Sequence, residues 1–352
     1  MPLTKLELTN VRCFPSLTLD LPRQLVITGA NGHGKSTIIE AISLLALTRS
    51  HRARHDGELI ATGQTVATVT AQLAPRQLVR LALTTTGAGL TKQANRFGQL
   101  VPLTGIVGLI RTVLFTPEEL ELFTGPPRLR RRLLDGLLLQ RDGASFADRL
   151  LQFHRTLRQR NRLLTSRLSL FELRRQIAAW DALYASSATE ILRCRIALLA
   201  ELRTATQAQL AAMQLPLELS LSYHATVPQI EQLSELLVAR LERDQQLGST
   251  SVGPHRDDLL VTVNGRPMSS ASRGEQRAAL VALKLAEYER LAAADPANEP
   301  IFLIDDVMSE LDAERRVLIA SHLATKPCLI TSADPTQLPR ELATLSRHEL
   351  AH

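Results

Sequence analysis

The feature that most restricts the fold of this chain is a short glycine-rich segment near residue 30. The segment Gly29-Ala30-Asn31-Gly32-His33-Gly34-Lys35-Ser36 matches the pattern GxxxxGK[ST]. An apolar run over residues 25–28 precedes it, and a helix-forming run follows from Thr37. A strand, a glycine loop and a helix in this order form a phosphate-binding loop, because backbone N–H groups at the helix N-terminus can wrap a phosphate. The chain is therefore predicted to contain a P-loop nucleotide-binding domain.

The residues of this loop have predicted roles toward a nucleoside triphosphate and Mg²⁺. Lys35 is expected to reach the β- and γ-phosphates and to assist catalysis, and the hydroxyl group of Ser36 is expected to bind Mg²⁺. His33 occupies a position where most residues would serve, so only its backbone is expected to matter. The predicted nucleotide-binding residues of the loop are Gly29, Ala30, Asn31, Gly32, His33, Gly34, Lys35, Ser36 and Thr37.

A pair of carboxylates near residue 305 is the second predicted element of the site. The continuous apolar run 301–304 indicates a buried strand, and it ends in Asp305 and Asp306. An acid at the end of such a strand, beside a phosphate loop, can hold Mg²⁺ through water, which is the Walker B role, and we assign it to Asp305. Asp306 is then placed to polarise the attacking water as a catalytic residue. The alternative is that these carboxylates cap the next helix.

Changes in the hydrophobic period indicate how the chain is organised. The first hundred residues alternate strand-like runs and turns, and the period becomes helical after residue 117. Apolar residues at steps of three, four and seven predict one long helix over 146–168, and a second is predicted over 177–202, antiparallel to the first. A strand follows at 217–223 and a helical run at 227–243.

These patterns predict an α/β fold with an insertion. The last hundred residues also alternate helix and strand. They would complete the α/β domain that begins with the phosphate loop. We predict an ATPase lobe made of residues 1–118 and 248–352. Residues 119–247 are predicted to form a mostly helical inserted lobe that contains a short antiparallel helical hairpin.

Composition excludes several other classes of protein. With 45% hydrophobic and 22% charged residues among 352, the chain is ordinary for a globular protein, so disorder and fibrous repeats are excluded. No run of about 18 apolar residues occurs, and the first residues lack the apolar core of a signal peptide. We therefore expect a cytoplasmic protein with no membrane partner. The scattered Cys13, Cys194 and Cys328 are expected to be reduced thiols.

The positive charge of the chain is concentrated in one segment. The net charge is +6, and residues 128–175 contain thirteen arginines against four acids. Only five of the 41 basic residues in the chain are lysines. The asymmetry indicates a surface that faces a polyanion. The alternative is a solvated helical face in a chain that uses arginine in place of lysine throughout.

A serine- and glycine-containing segment opens another predicted helix near residue 272. It reads Ser270-Ala271-Ser272-Arg273-Gly274-Glu275-Gln276-Arg277, and taken alone it is a helix N-cap. Between a Walker A and a Walker B motif, however, its pattern SxGEQ resembles the signature of ABC-type ATPases, and Ser309-Glu310-Leu311-Asp312 resembles their D-loop. The resemblance implies an ABC-type P-loop ATPase lobe. It also implies that Ser272, Gly274 and Gln276 contact the nucleotide of a second copy.

Four longer stretches resemble the RecF family of recombinational-repair ATPases. They are Phe115-Thr116-Pro117-Glu118-Glu119-Leu120 followed by Gly125-Pro126-Pro127 and an arginine run, Arg158-Gln159-Arg160-Asn161, Gly253-Pro254-His255-Arg256-Asp257-Asp258-Leu259, and Asp305-Asp306-Val307-Met308-Ser309-Glu310-Leu311-Asp312. They follow the order of the family over nearly the whole chain. The third stretch is expected to form a hydrogen-bonded junction between the lobes rather than to act in catalysis.

The resemblance implies a function and partners. A RecF-like chain is expected to bind ATP and Mg²⁺, to form a head-to-tail homodimer when ATP is bound, and to hydrolyse ATP slowly. It is expected to bind DNA, as duplex or at junctions of single and double strands. It is further expected to assist recombinase loading at gaps, in DNA replication, repair and the SOS response, with RecR-like and RecO-like mediator proteins.

We assign DNA contact to the arginine-rich insertion. Aromatic residues make up only 3% of the chain, which disfavours a surface that stacks single-stranded bases. Salt-sensitive contact with the backbone of a duplex is therefore expected. The representative residues are Arg130, Arg131, Arg132, Arg158 and Arg162.

The chain departs from the ABC pattern in two places. It has no clear Q-loop glutamine, whose place residues 115–119 are expected to take, and no switch histidine, for which Thr331 or Ser332 is the replacement. The alternative function, the nucleotide-binding subunit of an ABC transporter, shares the phosphate-site motifs. It would need an aromatic residue upstream of the loop to stack on adenine, and Phe14 is the nearest.

Overall fold

The computed structural model describes residues 3–74, 77–306, 313–334, 338–343 and 345–350. The predicted D-loop, residues 309–312, lies outside this part of the chain. In chain order the strands are β1 (Leu3–Val11), β2 (Phe14–Asp20), β3 (Gln24–Thr28), β4 (Val66–Leu73), β5 (Gln77–Thr86), β6 (Gly89–Arg96), β7 (Gln99–Val101), β8 (Thr112–Phe115), β9 (Leu219–His224), β10 (Asp258–Val263), β11 (Arg266–Pro267), β12 (Ile301–Asp305), β13 (Cys328–Ser332) and β14 (Ser346–Glu349). The helices are α1 (Lys35–Leu47), α2 (Glu121–Thr124), α3 (Pro127–Asp142), α4 (Ala144–Leu164), α5 (Leu170–Ala212), α6 (Leu233–Ala239), α7 (Leu241–Leu247), α8 (Arg273–Ala294), α9 (Ala313–Leu323) and α10 (Arg340–Ala343).

A five-stranded parallel sheet positions the predicted site. Its strand order is β14-β3-β13-β12-β8. Every residue of β12 and β13 is buried, as expected of a parallel sheet that is covered on both faces. Strand β13 pairs with β3 on one side and with β12 on the other. The carboxyl ends of β3 and β12 therefore meet at one edge, which brings the phosphate loop and Asp305 together.

A six-stranded antiparallel sheet, in the order β2-β1-β4-β5-β6-β7, lies on the other side of α1. Its strands alternate in burial where one face is covered; β1 buries its leucines and exposes the residues between them. Side chains of β1, β4 and β5 share one apolar cluster with Ile38 and Ile42 of α1 and with Leu303 of β12. Helix α1 is thus held between the two sheets, which fixes the direction in which its N-terminus points.

The predicted helical hairpin is present, although its second helix is longer than predicted. The first helix is α4, and the second is α5, which extends over 43 residues. A capping box in which Ser169 and Glu172 exchange hydrogen bonds sets the start of α5. Phe153 of α4 and Tyr184 of α5 lie in the same apolar cluster as Leu283 of α8, so the hairpin packs on the helix that follows the signature segment.

A three-stranded antiparallel sheet joins the insertion to the rest of the chain. Strand β9 pairs with β10 from Leu219↔Val263 to His224↔Asp258, and β11 pairs on the other side of β10. The lobe boundary predicted at residue 247 falls between β9 and β10, so it crosses this sheet. The period of hydrophobic residues shows where one helix or strand gives way to the next. It contains no information about which distant strand pairs with β9.

The helical run predicted at 227–243 is two short helices rather than one. The helix is interrupted at Arg240, whose backbone leaves the α-helical region with a ψ of 3°. Helix α7 begins at the next residue. No helix among the described residues combines the length and the apolar character needed to cross a lipid bilayer.

Candidate nucleotide-binding site

The glycine loop between β3 and α1 has the backbone geometry of a phosphate loop. Gly32 and Gly34 have φ values of 90° and 87°, and Gly34 is the N-cap of α1. A Cβ atom at Gly34 would lie 2.6 Å from the Cys13 sulfur and about 2.5 Å from the Phe14 ring. Glycine is therefore required at residue 34 both by the backbone angle and by the lack of space.

Lys35 lies inside the curve of this loop. It is buried, and its ammonium group donates hydrogen bonds to the carbonyl oxygens of Gly29, at 2.7 Å, and Ala30, at 3.0 Å. The positive charge is thus held on the concave side of the loop, next to the N–H groups at the start of α1. Both features attract an anion to the same point.

Ser36 and Asp305 meet at the edge of the parallel sheet. The Ser36 hydroxyl donates a 2.9 Å hydrogen bond to Asp305 Oδ1, although the two residues are 269 positions apart. Thr331 Oγ1 donates to the same carboxylate oxygen at 2.7 Å, and Asp305 is 7% exposed. The carboxylate is therefore fixed from two sides and oriented toward the first turn of α1.

The donor atoms at this edge suit Mg²⁺. A hydroxyl and a carboxylate oxygen are hard ligands, and Mg²⁺ is commonly bound through one or two protein groups together with phosphate oxygens. No group of three or more histidine, cysteine or acidic side chains that could enclose a metal occurs among the described residues. A magnesium ion at Ser36 and Asp305 would therefore depend on the nucleotide for its other ligands.

Asp306 follows the end of β12 with an unusual backbone. Its φ of 53° lies in the left-handed region, and its N–H group donates to Thr331 Oγ1 at 3.1 Å. Asp306 thus departs from the extended backbone directly after the last residue of β12. The alternative role of this residue as a helix cap stays a prediction, because residues 307–312 lie outside the described part of the chain.

Of the two candidates for the missing switch histidine, Thr331 is the one that contacts the site. Its hydroxyl group donates to Asp305 and accepts from the backbone of Asp306. The hydroxyl of Ser332 donates instead to the carbonyl oxygen of Asp334, at 2.9 Å. Thr331 thus holds both carboxylate residues in place.

The signature segment forms an exposed helix N-terminus. Ser272 is the N-cap of α8: its hydroxyl oxygen accepts from the Glu275 N–H, and its own N–H donates to the Glu275 carboxylate at 2.8 Å. Ser272 is exposed, while Gly274 is half-buried. The first N–H groups of α8 are thus available to an anion outside this chain.

Gln276 lies behind the signature segment rather than on its surface. It is buried, and its side-chain amide donates to the carbonyl oxygens of Met268 and Ala271 at 3.1 and 3.2 Å. These bonds hold the loop that leads into Ser272. Gln276 therefore shapes the signature segment from behind, and its contact with the nucleotide of a second copy stays a prediction.

Two of the five arginines predicted to contact DNA are engaged inside the chain. Arg130 makes a bidentate ion pair with Asp258, at 2.7 and 2.8 Å, and Arg131 donates to the carbonyl oxygen of Asp257 at 2.6 Å. A count of charged residues in the sequence does not show which arginines form ion pairs inside the protein. The other three, Arg132, Arg158 and Arg162, are exposed.

The structure adds a basic groove that the sequence had indicated only weakly. The groove has a volume of about 490 Å³ and lies between the segment after α1 and the turn joining β5 to β6. Its charged lining residues are Arg49, Arg54, His55, Lys92 and Asp56, and the last two form an ion pair. Partial loss of solvent at the base of the exposed Arg132 side chain lowers its pKa, and the nearby charges of Arg49 and Arg128 lower it further. Because Arg49 lines the groove, the groove adjoins the arginines of α3.

The stretch from Gly253 to Leu259 is a hydrogen-bonded junction, as expected. His255 Nε2 lies 2.9 Å from the Thr250 carbonyl oxygen, and its Nδ1 lies 3.2 Å from the Tyr184 hydroxyl. Burial lowers the pKa of His255 to about 4, so the ring is neutral near pH 7. A Cβ atom at Gly253 would collide with the Tyr184 hydroxyl, which explains the glycine.

The stretch around Arg160 has a structural role of the same kind. Arg160 is fully buried and donates to Asp181 at 2.7 Å and to Asp244 at 2.8 Å. The side-chain oxygen of Asn161 accepts from the backbone and the hydroxyl of Thr250. This stretch therefore ties α4 to α5, α7 and the loop that precedes Gly253.

The segment after β8, which stands where a Q-loop is expected, is tied to the signature helix. Glu119 makes an ion pair with the buried Lys284 of α8, and Lys284 Nζ also lies 3.1 Å from Glu287 Oε1. One ammonium group thus faces two carboxylates. Burial raises the pKa of Glu287 to about 7.

These parts define the class of protein. A phosphate loop at the start of α1, a carboxylate strand beside it in a parallel sheet, and a serine-capped signature helix are the components of an ABC-type P-loop ATPase head. The family model described as RecF/RecN/SMC N terminal domain matches residues 2–340.

Individual relatives narrow this class to one family. The DNA replication and repair protein RecF of Frankia alni is 36% identical over 365 residues, which cover 97% of this chain and 96% of that protein. The protein of the same name from Kineococcus radiotolerans is also 36% identical, with 97% and 95% covered. A solved structure of the recombination mediator protein RecF with ATP, in the RecFOR pathway, matches with a TM-score of 0.85 at 28% identity, covering 95% of this chain and 92% of that one. The chain belongs to the RecF family, which confirms both the predicted family and the predicted ABC-type α/β fold.

Proposed function

We propose that this chain is an ATP-dependent DNA-binding protein of recombinational repair that pairs with a second copy around bound ATP and hydrolyses it slowly. The observation that carries the proposal is the 2.9 Å hydrogen bond between Ser36 and Asp305, in a family whose solved relative RecF was determined with ATP. The names of the RecF relatives support a role in DNA replication and repair.

The phosphate loop performs the binding of ATP. The N–H groups at the start of α1 and the Lys35 ammonium group hold the β- and γ-phosphates. Ser36 and Asp305 hold Mg²⁺, which when bound offsets the negative charge of these phosphates. Asp306 orients and polarises the water that attacks the terminal phosphate. Thr331 keeps the Asp305 carboxylate and the Asp306 backbone in position through its hydroxyl group.

Pairing of two copies follows from the position of the signature helix. The N-terminus of α8 carries partial positive charge, and its cap residue Ser272 is exposed. We infer that Ser272 and Gly274 face the terminal phosphate held by another copy. Because each copy gives a phosphate loop and a signature helix, the pair closes with two-fold symmetry and two shared ATP sites.

DNA binds to the basic surface formed by Arg132, Arg158 and Arg162, together with the groove next to Arg49. These side chains contact phosphates of a duplex, or of a junction with single strands, and bind more weakly as salt rises. ATP-dependent pairing places two such surfaces on one DNA, which strengthens the grip. The protein then helps to load the recombinase in the cytoplasm, with RecR-like and RecO-like partners.

Sedimentation velocity with and without ATP tests the proposal. Wild type is expected to sediment as a monomer alone and as a dimer with ATP and Mg²⁺. Lys35→Met is expected to lose ATP binding and to stay monomeric. Ser272→Arg is expected to bind ATP and still stay monomeric, because the larger charged side chain fills the interface.

Ser222→Arg is the matched control, since Ser222 is an exposed residue of β9, far along the chain from the signature. This variant is expected to pair like wild type. A stable dimer of wild type in the absence of nucleotide, or normal pairing of Ser272→Arg, would contradict the proposal.

A further inference from the structure

The end of the helical hairpin is a small packed unit. Helices α4 and α5 are joined by residues 165–169, and Gln245 of α7 donates a 2.9 Å hydrogen bond to the carbonyl oxygen of Leu168 in this loop. We refer to the loop with the adjoining turns of α4 and α5 as the hairpin end. Packing and hydrogen bonds hold it, which fixes the direction in which the first turns of α5 face. The apolar cluster of the hairpin end consists of Leu164, Leu173, Ile177 and Leu241.

Phe171, in the first turn of α5, lies outside this cluster. It is 71% exposed, more than any other aromatic residue of the described chain. Phe97, at 40%, has the guanidinium group of Arg96 over its ring, 5.0 Å from the centroid. No cation and no second ring lies over Phe171 among the described residues. Its ring is thus an apolar surface that is open to a partner.

The surroundings of Phe171 are strongly basic. A single exposed apolar side chain is common in proteins, but a helix turns by about 100° for each residue, so Arg174 and Arg175 lie on either side of this one. The one acid between residues 155 and 175 is Glu172, whose carboxylate accepts from the Ser169 N–H at 2.9 Å. No ion pair within the described chain neutralises the exposed arginines of the same range. These are Arg155, Arg158, Arg162, Arg167, Arg174 and Arg175.

A ring among arginines fits one kind of DNA better than another. Arginines contact the phosphates of single strands and of duplexes alike, so they do not distinguish the two. An aromatic ring is different, because it stacks only on a base with an open face, and inside a duplex the neighbouring base pairs cover both faces. Since aromatic residues are rare in this chain, one ring serves one base rather than a long single strand.

We propose that Phe171 stacks on an unpaired base at the point where single-stranded DNA leaves a duplex, while the arginines of the hairpin end hold the neighbouring phosphates. The inference rests on the proposed DNA binding, and it names the part of the chain that recognises the single strand. DNA is the occupant that the charge favours, because the same basic surface continues into Arg158 and Arg162, which we assign to DNA phosphates.

Two DNAs that differ only by a short gap test the inference. A continuous duplex and the same duplex lacking a few nucleotides of one strand have identical ends, so binding to the ends contributes equally to both. Their affinities would be measured by fluorescence anisotropy with ATPγS and Mg²⁺ present. Phe171→Ala is expected to lose about tenfold in affinity for the gapped duplex and to keep its affinity for the continuous one, because it loses a stacking contact and no charge.

Further substitutions separate stacking from other effects. Phe171→Tyr keeps an aromatic face and should bind like wild type, whereas Phe171→Leu keeps only apolar bulk and should behave like Phe171→Ala. Arg174→Gln combined with Arg175→Gln should weaken both complexes, because both DNAs carry phosphates. Leu183→Ala, at another exposed apolar residue of α5, is the matched control and should bind both DNAs like wild type.

The outcomes distinguish this inference from the proposed function. A wild type that binds neither DNA would defeat the proposed function itself. If wild type binds both, an unchanged affinity of Phe171→Ala for the gapped duplex would overturn only the inference and would leave the ring to a protein partner. An equal loss on both DNAs would also overturn it. Since Phe171 is exposed, its variants should keep the wild-type melting temperature, so a folding defect does not obscure the result.

Discussion

Thr331 shows how much a single hydroxyl group contributes at the edge of the parallel sheet. Its Oγ1 donates to Asp305 at 2.7 Å and accepts the Asp306 N–H at 3.1 Å, and the residue is fully buried. One side chain of β13 thus orients two consecutive residues, the last of β12 and the one after it. The carboxylate assigned to Mg²⁺ and the residue assigned to water activation thus both contact the same hydroxyl group.

Replacing Thr331 by valine removes that support without changing the shape of the side chain. Thr331→Val is expected to lower the free energy of unfolding by about 1–3 kcal/mol, because the buried Asp305 carboxylate loses a donor and the Asp306 N–H loses this acceptor. It is expected to slow ATP hydrolysis about tenfold with little change in ATP affinity. Steady-state hydrolysis and chemical denaturation measure the two effects. Thr331→Ser keeps the hydroxyl group and should behave like wild type; a valine variant with wild-type turnover would refute the argument.

Alanine variants of Gly32 and Gly34 in the phosphate loop distinguish the cost of backbone strain from the cost of a steric clash. Gly32→Ala meets no atom within 4 Å, whereas the added carbon of Gly34→Ala meets Phe14 and Cys13. Both φ values are positive, so each variant is expected to lose about 1–2 kcal/mol of stability from the left-handed backbone alone. Gly34→Ala should lose clearly more, and should lower the melting temperature further. Equal melting temperatures would show that the contact with Phe14 yields easily.

At the residue scale, the site residues that could be predicted are those that belong to a short continuous sequence motif. Lys35 and Ser36 follow from eight consecutive residues, and Asp305 from an apolar run that ends in acid. The ion pair of Arg130 could not be predicted because its partner, Asp258, is 128 positions away. The burial of Gln276 could not be predicted for a related reason, since it depends on how the loop before α8 folds.

At the scale of elements, the contact between α8 and the segment after β8 contains one positive and two negative groups. Lys284 is the positive group at the centre, and Glu119 and Glu287 both face it. Because Lys284 neutralises one carboxylate, the more deeply buried Glu287 retains its proton to a higher pH. Burial raises its pKa from the usual 4.5 to about 7.

Stability is therefore expected to depend on pH through Glu287. The folded protein holds this proton up to about pH 7, while the unfolded chain releases it near pH 4.5. Since the folded state binds more protons in this window, the free energy of unfolding falls as pH rises from about 4.5 to about 7 and is level above it. The loss is on the order of 1–3 kcal/mol.

Urea denaturation at pH 5 and pH 8 checks this expectation. Glu287→Gln resembles the protonated acid at every pH. Its free energy of unfolding should therefore not decrease between pH 5 and pH 8, and it should be more stable than wild type at pH 8. Glu235→Gln, at an exposed carboxylate of α6, serves as control and should keep the wild-type slope. An unchanged slope in Glu287→Gln would count against a proton on this residue.

The elements themselves were predictable where their pattern is strongly apolar. The stripe from Phe146 to Leu157 marks α4 clearly, and β3, β12 and β13 are continuous apolar runs. The last ten residues of α5 were missed because their buried face includes polar side chains. Gln209, for example, is buried and donates to Glu289 at 2.5 Å. A polar residue on a buried face weakens the period from which a helix is predicted.

At the scale of the whole molecule, the exposed arginines and the internally paired ones are expected to respond differently to substitution. Arg132, Arg158 and Arg162 changed together to glutamine should reduce the slope of log affinity for duplex DNA against log salt by up to about 3, one for each phosphate that is no longer neutralised. Arg130→Gln should instead leave that slope unchanged. It should lower stability by about 3 kcal/mol, because Asp258 loses its partner.

Fluorescence anisotropy over a series of salt concentrations, with ATP present, gives the slope, and denaturation gives the stability. A triple variant with the wild-type slope would exclude these arginines from binding DNA phosphates. A reduced slope in Arg130→Gln, with unchanged stability, would mean that its ion pair with Asp258 opens to bind DNA.

The overall architecture was predictable only in outline. An α/β ATPase head with a helical insertion follows from the order of the motifs, but the pairing of β9 with β10 does not, because the two strands are separated by more than thirty residues of helix and loop. The same limit applies to the six-stranded antiparallel sheet, whose strands were predicted singly and whose order was not.

The pairing of β9 with β10 also links the helical hairpin to the segment that leads into the signature helix. Strand β9 follows the end of α5, and β10 leads through β11 to Ser272 within nine residues. The end of the long helix and the approach to Ser272 therefore adjoin one small sheet of backbone hydrogen bonds. A substitution that disrupts this sheet is expected to disturb both places at once.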